Sequence, residues 1–269
     1  MSDDRPVPVA LAIAGSDSGG GAGIQADLKA FARCGVHGTT AITALTAQNT
    51  VGVEAVAPVD PGMIVAQVRA VVDDLGVDAV KVGMLADEAT IDAVVEALTL
   101  VGDVPVVVDP VMVAESGDAL LEPDARAALI ERILPIATVA TPNVLEARAL
   151  SGLGDGAGSE ELGVAIRALG PRAVVVTGGH TDSGADVLVD EAGVITIEGP
   201  RYPSGASHGS GCTHSSALAA FLARGIELPE AARWAREVAA TAVGNGLRGL
   251  GAGAGPVDVF GIESGAALT

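Results

Sequence analysis

Short β-type runs alternate with helical ones along nearly the whole of this chain, and that alternation narrows the fold more than any other feature. Val7–Ala14 is a compact apolar run stopped by Gly15, the pattern of a buried strand. Ile24–Cys34 is amphipathic and ends at Gly35, a helix stop signal. The same reading predicts strands at Thr39–Ala47, Ala79–Val82, Val104–Val108, Thr138–Ala140 and Ala173–Val176. It predicts helices at Met63–Leu75, Ala89–Leu100, Ala125–Leu134, Val144–Ser151 and Leu162–Leu169. Asp186–Val189 and Val194–Glu198 read as a hairpin, and helices Ser215–Arg224 and Glu230–Gly244 close the chain. Strand–helix alternation implies an α/β fold with a mostly parallel sheet and helices on both faces. A single domain over 1–269 is expected, with a loose tail after about residue 249. Ligands in such sheets gather beyond the carboxyl ends of the strands.

Composition removes several functions. A net charge of −19 provides no basic face for nucleic acid or an anionic membrane. No apolar run approaches the ~20 residues that cross a bilayer, and the acidic, polar start Met1–Pro6 does not suit a signal peptide. Two cysteines, Cys34 and Cys212, give neither a disulfide framework nor a zinc cluster, so the cytoplasm is the expected compartment. Lys29 and Lys81 are the only lysines. A polyphosphate would therefore have to be held mostly by backbone N–H groups, helix ends and a metal ion.

Polar clusters follow several of the predicted strands. Ser207-His208-Gly209-Ser210-Gly211-Cys212-Thr213 is a glycine-rich turn opening a helix, where backbone N–H groups and the positive end of the dipole meet an anion. Cys212 at its mouth is either buried structure or a catalytic thiol whose pKa that field would lower. Gly15–Gly23 is a long glycine-rich loop between a strand and a helix, with neither a dinucleotide fingerprint nor a Walker sequence. Asp109-Pro110 ends a strand with a carboxylate that also suits a turn. Asn143 and Glu146 have the spacing of a capping box and equally of a pair holding a hydrated Mg²⁺. Thr177-Gly178-Gly179-His180 follows another strand, and His180 taken singly reads as a loop histidine. Lys81, inside a strand, requires a carboxylate partner.

Taken together these motifs resemble the hydroxymethylpyrimidine/phosphomethylpyrimidine kinases of thiamine biosynthesis, in the ribokinase-like superfamily. The resemblance is carried by Ala14–Asp17 with Gly20–Asp27, Thr43–Leu45 with Gln48–Thr50, Lys81–Leu85, Asp109–Met112, Thr141–Asn143 with Glu146, Gly178–His180 and His208–Thr213, in order from about residue 8 to about 260. It implies a three-layer α/β/α sandwich and an ATP- and Mg²⁺-dependent kinase. The substrate would be 4-amino-5-hydroxymethyl-2-methylpyrimidine and then its monophosphate. By matched positions, Gly15, Ala22, Asp27, Gln48, Met84 and Val111 would contact the pyrimidine. Asp109, Asn143, Glu146, Thr177 and Gly179 would serve the nucleotide, with Asn143 and Glu146 holding Mg²⁺ through water. Gly209, Ser210 and Gly211 would form the anion hole, and Cys212 stands where most relatives carry an aspartate base. Many members have a lysine at the position of Thr177, so a direct cationic contact to ATP phosphates is not expected there. The family also suggests a homodimer.

Three other readings compete. A pyridoxal kinase of the cysteine-containing type shares most of these motifs, but the second lid cysteine of some of those enzymes is absent from Val113-Ala114-Glu115-Ser116. A non-catalytic pyrimidine sensor would have a damaged anion hole or Asn-x-x-Glu motif, and both are intact. A hydrolase pairing Cys212 with His208 or His214 lacks an acyl site.

Overall fold

The computed structural model describes residues 5–114, 116–122, 124–179, 184–202 and 206–262. Among these residues the chain runs β1 (Val9–Ala14), α1 (Gly23–Arg33), β2 (His37–Ile42), β3 (Ala44–Gln48), β4 (Val53–Pro58), α2 (Pro61–Asp74), β5 (Ala79–Val82), α3 (Glu88–Leu98) and β6 (Val106–Val108). It continues with α4 (Ala125–Ala128), β7 (Val139–Ala140), α5 (Val144–Ser151), α6 (Ser159–Arg167), β8 (Ala173–Val176), β9 (Asp186–Val189), β10 (Val194–Ile197), α7 (Ser210–Ala223) and α8 (Leu228–Gly244). One sheet has the order β10-β9-β8-β7-β6-β5-β1-β2. Its strands from β8 to β2 are parallel, and β9 and β10 form an antiparallel edge.

Alternation within the strands divides the core in two. Leu11, Ile13, Val80 and Val82 point to one face, under Ile64 and Val68 of α2 and Ile91 and Val94 of α3. Ala10, Ala12, Val107 and Val175 point to the other, against Phe31 of α1, Leu218 of α7 and Ala235 of α8. With helices on both faces these strands are buried on both sides, so they read as continuous apolar runs. Each fully buried Leu or Ile contributes about 1.5–3 kcal/mol.

The structure departs from the sequence reading at several places. The expected strand Thr39–Ala47 is two strands that part at Thr43, whose N–H donates to the Ala14 carbonyl (3.0 Å) and whose hydroxyl donates to the Met84 carbonyl (2.7 Å). From there β3 leaves the sheet and pairs with β4 in a two-stranded flap. The unforeseen β4 is exposed along nearly its whole length, so it carries no buried alternation. The expected helix Ala125–Leu134 is α-helical only to Ala128, continues as a π turn to Ile133, and ends in a 3₁₀ turn at Pro135, which has no N–H for an α ladder. The tail expected to be loose after about residue 249 is packed up to Val259. Val257 and Val259 are buried against Ala242 of α8, and Gly253 lies so close to Thr50 that a Cβ would stand 1.7 Å from its carbonyl oxygen.

Candidate active site

Because β8, β7, β6, β5 and β1 are adjacent and parallel, the segments leaving their carboxyl ends form a row. Thr177 and Gly179 follow β8, Asn143 follows β7, Asp109 follows β6, Met84 follows β5 and Gly15 follows β1. All of them, together with Ala22, Gln48, Val111, Glu146 and the first turn of α7, line one cavity of about 510 Å³. A volume of that order holds a small-molecule ligand.

At the β1 end, the glycine-rich loop wraps around Asp17. Its buried carboxylate accepts from the amides of Gly19 (2.8 Å), Gly21 (3.0 Å) and Ala22 (2.8 Å), and lies 2.8 Å from His208 Nε2. Burial alone would raise the Asp17 carboxyl, but His208 and these amides hold it below the usual range. With its N–H groups turned inward, this loop is a wall rather than a phosphate cradle. Gly15 has no Cβ because Met84 Sδ would lie 2.9 Å from it. The loop is tied to the flap, since the Thr46 hydroxyl donates to the Ser16 carbonyl (2.8 Å) and the Gln48 amide to Ser18 Oγ (2.8 Å). This sets Gln48 beside the pocket, with its side-chain Oε1 3.2 Å from Thr46 Oγ1.

Behind that wall lies a buried charge network. Lys81 Nζ is 2.9 Å from Asp27 Oδ1 and 3.9 Å from Asp109 Oδ2. Ser216 donates to Asp27 (2.7 Å) and Ser215 to Asp109 (2.9 Å). Asp27, expected to touch substrate, does not line the cavity: it is fully buried and braces Lys81 from below. Burial raises its carboxyl, a rise that Lys81 opposes. Burial would lower the Lys81 ammonium, but the carboxylates of Asp27 and then Asp109 raise it, so it stays charged.

Helix α7 begins at Ser210, five residues before the start read from its apolar run, with Gly209 (φ 85°) as its N-cap. The Ser210 amide is engaged with the Ser207 carbonyl (2.9 Å). The amides left by the helix for an anion are those of Gly211 and Cys212, in its first turn. The expectation of a lowered Cys212 thiol is corrected: burial pushes it up to about 12, against Lys81 and an N–H donated by Gly23, and with Asp27 and Asp109 adding to the rise. At neutral pH it is a thiol, not a thiolate.

Asn143 and Glu146 realise the capping box in full, with the Glu146 carboxylate accepting from the Asn143 amide and Asn143 Oδ1 from the Glu146 amide, both at 2.9 Å. Glu146 nevertheless lines the cavity and is pushed up to about 8, by burial and then by Asp109. Two carboxylates that repel each other across a cavity suit a divalent cation. Among the described residues no group of three or more His, Cys, Asp or Glu stands together as a metal cage.

The β8 end carries a cluster the sequence did not disclose. Asp186 Oδ1 accepts from the Gly178 amide (2.8 Å) and lies 3.8 Å from Arg236 Nε, while its Oδ2 lies 3.1 Å from His214 Nε2. Burial would raise the Asp186 carboxyl; His214, then Arg236 and the Gly178 amide, hold it low. Beside it, Tyr202 and the α8 residues Ala239, Ala240 and Val243 form a mostly apolar wall. With His208 on Asp17 and His214 on Asp186, both histidines of the hydrolase reading face carboxylates. His180 lies outside the described residues. Asp17 and Asp186 were missed because a single acid in a loop or at a strand start looks like any turn former, and their partners are remote in sequence.

The family model described as "Phosphomethylpyrimidine kinase" matches residues 17–258. The hydroxymethylpyrimidine/phosphomethylpyrimidine kinase of Rhizobium meliloti is 48% identical, over 94% of this chain and 97% of its own. Among solved structures, the ADP complex of Bacillus subtilis pyridoxal kinase superposes with a TM-score of 0.86 at 37% identity, covering 96% of this chain and 99% of that one. The phosphomethylpyrimidine kinase of Clostridium difficile gives 0.76 at 40% identity, covering 85% and 96%. The fold is thus the ribokinase-like sandwich those kinases share.

Proposed function

Since the chain belongs to the phosphomethylpyrimidine kinase family, we propose that it transfers a phosphoryl group from ATP to 4-amino-5-hydroxymethyl-2-methylpyrimidine and then to the monophosphate so formed. The observation that carries this reading is the single cavity whose lining runs in strand order from Gly15 and Met84, past Asp109 and Glu146, to Thr177 and Gly179, with the first turn of α7 among its walls. The pyrimidine belongs at the β1–β5 end, where Gln48 offers a donor and an acceptor to an aminopyrimidine edge. The nucleotide belongs at the β7–β8 end, its base against Tyr202, Ala240 and Val243.

The substrate hydroxymethyl oxygen attacks the γ-phosphorus as the bond to ADP breaks, and the hydroxyl proton passes to an oxygen of the transferred phosphoryl group and from there to solvent. Most of the catalysis is positioning and charge stabilisation. The Gly211 and Cys212 amides hold the oxygens of the migrating group, and the Cys212 thiol orients the hydroxyl. Lys81 stays charged below them and offsets the carboxylates of Asp27 and Asp109. Glu146 and Asp109, with Asn143 fixing Glu146, would hold a hydrated Mg²⁺, which would supply positive charge to offset that of the phosphates. We assign the work to one domain in the cytoplasm, and a second copy of the chain to the exposed flap residues Leu45, Val51 and Val56.

The test is ADP release measured with the pyrimidine alcohol, with its monophosphate and with pyridoxal. Turnover with both pyrimidines and a lower kcat/KM for pyridoxal is expected. No release with either pyrimidine would overturn the reading.

A further inference from the structure

We propose that His208 is a positioning residue for phosphoryl transfer: through Asp17 it locks the acceptor-side loop Gly15–Gly23 onto the donor-side turn Ser207–Cys212. The proposal rests on the kinase reading of the cavity given above. His208 is fixed at both ends of its own peptide, its amide donating to the Gly255 carbonyl (3.2 Å) and its carbonyl accepting from the Val257 amide (3.1 Å). The ring therefore projects from a backbone pinned by a segment outside both loops. Its Nε2 lies 2.8 Å from Asp17 Oδ2, with the two residues only 5% and 1% exposed.

Asp17 passes that constraint on. The same carboxylate takes the amides of Gly19, Gly21 and Ala22, so its direction sets the path of the whole glycine-rich loop. There is no slack where the two loops meet. A Cβ on Gly209 would stand 1.7 Å from the Gly21 carbonyl oxygen, and one on Gly21 would stand 2.2 Å from His208 Cδ2. One loop walls the acceptor pocket and the other opens the helix whose amides receive the phosphoryl group. A misplacement of about 1 Å between reacting groups costs on the order of a hundredfold in rate. With Nε2 turned to Asp17, His208 does its work through the loop and not on the reacting atoms.

Two substitutions separate this role from a general structural one. His208→Met fills the volume without a donor, and His208→Gln returns an N–H near the place of Nε2. The Met variant is expected to lose roughly tenfold or more in kcat. Its Kd values for the pyrimidine alcohol and for a non-hydrolysable ATP analogue should stay within about threefold, and the Gln variant should recover most of kcat. Hydrogen exchange adds a readout independent of turnover: peptides covering 15–23 and 207–212 should exchange faster together in the Met variant and not in the Gln variant. Asp17→Asn, isosteric but unable to accept all four donors, should reproduce the Met pattern and serves if the Met variant does not fold. Wild-type kcat in the Met variant, equal losses in Met and Gln, or unchanged exchange in 15–23 would each overturn the proposal. A wild-type protein that turns over neither pyrimidine would sink the kinase reading instead, and the exchange comparison would still decide whether the lock exists.

Discussion

Cys212 shows a helix N-terminus overruled by its surroundings. The first turn of α7, the Gly23 amide and Lys81 all favour a thiolate, yet burial and two carboxylates push the thiol up to about 12. A neutral thiol can orient a hydroxyl but does not supply a base worth 10²–10⁴. Cys212→Ala is therefore expected to lower kcat for the alcohol by only about tenfold. It should affect the monophosphate less, because there the nucleophile is a phosphate oxygen, mostly ionised at neutral pH, and no hydroxyl remains for the thiol to orient. Equal losses in both steps would remove the thiol from the reaction. Glu146 gives a prediction of opposite use. Its proton is held up to about pH 8, and a cation must displace it. Mg²⁺ should thus raise Tm more at pH 8.5 than at pH 6, and Glu146→Gln should abolish that difference. Cys34, buried, is pushed up to about 11. Above about pH 9 the folded chain then holds a proton that the unfolded chain has lost, so stability falls as pH rises towards 11. Urea unfolding should register this decline, and Cys34→Ala should reduce its slope by up to about 1.4 kcal/mol per pH unit. None of these shifts was legible in the sequence. The motif located Cys212 and Glu146, but their neighbours Lys81, Asp27 and Asp109 arrive from other strands and helices.

At the scale of elements, what the sequence disclosed was whatever is local. The capping box of α5 is a three-residue pattern, and the buried runs of β5, β8 and β9 announced themselves with the right limits. The start of α7 did not, because Ser210–His214 has no apolar period and its helicity follows from Gly209 and the contact with Gly21. Gly209 is left-handed and stands against a backbone oxygen, so Gly209→Ala combines strain of about 1–2 kcal/mol with a clash. It is expected to lower Tm and to reduce kcat on the order of a hundredfold by shifting the helix amides. Gly211→Ala is the control: a Cβ there meets nothing within 4 Å, and Tm should hold. The flap was half legible. β3 was read as part of β2, and β4 was missed because its residues face outward.

For the whole molecule, the fold class could be read from alternation alone, since strands buried on both faces leave continuous apolar runs. The role of the C-terminal segment could not, because glycines at 249, 251, 253 and 255 read as the start of a loose tail. Gly251 and Gly253 are small because the chain crosses over Thr50 at the flap, Gly255 because it presses on the Leu247 carbonyl, and the segment then runs on beside His208. Truncation after Arg248 exposes the sites that Val257 and Val259 fill, and is expected to lower stability by about 3–5 kcal/mol, read by urea unfolding. A truncated chain as stable as the full one would show the segment to be dispensable.

The scarcity of lysine has a practical outcome. Lys29 donates to the Gly20 carbonyl (2.7 Å) and Lys81 holds Asp27 of α1, so both side-chain amines of the chain report on one corner of the molecule. An acylating reagent directed at primary amines has no scattered surface lysines to react with. Apart from the chain's own amino terminus, its labelling would follow the state of the glycine-rich loop alone, turning a quirk of composition into a footprint of substrate binding.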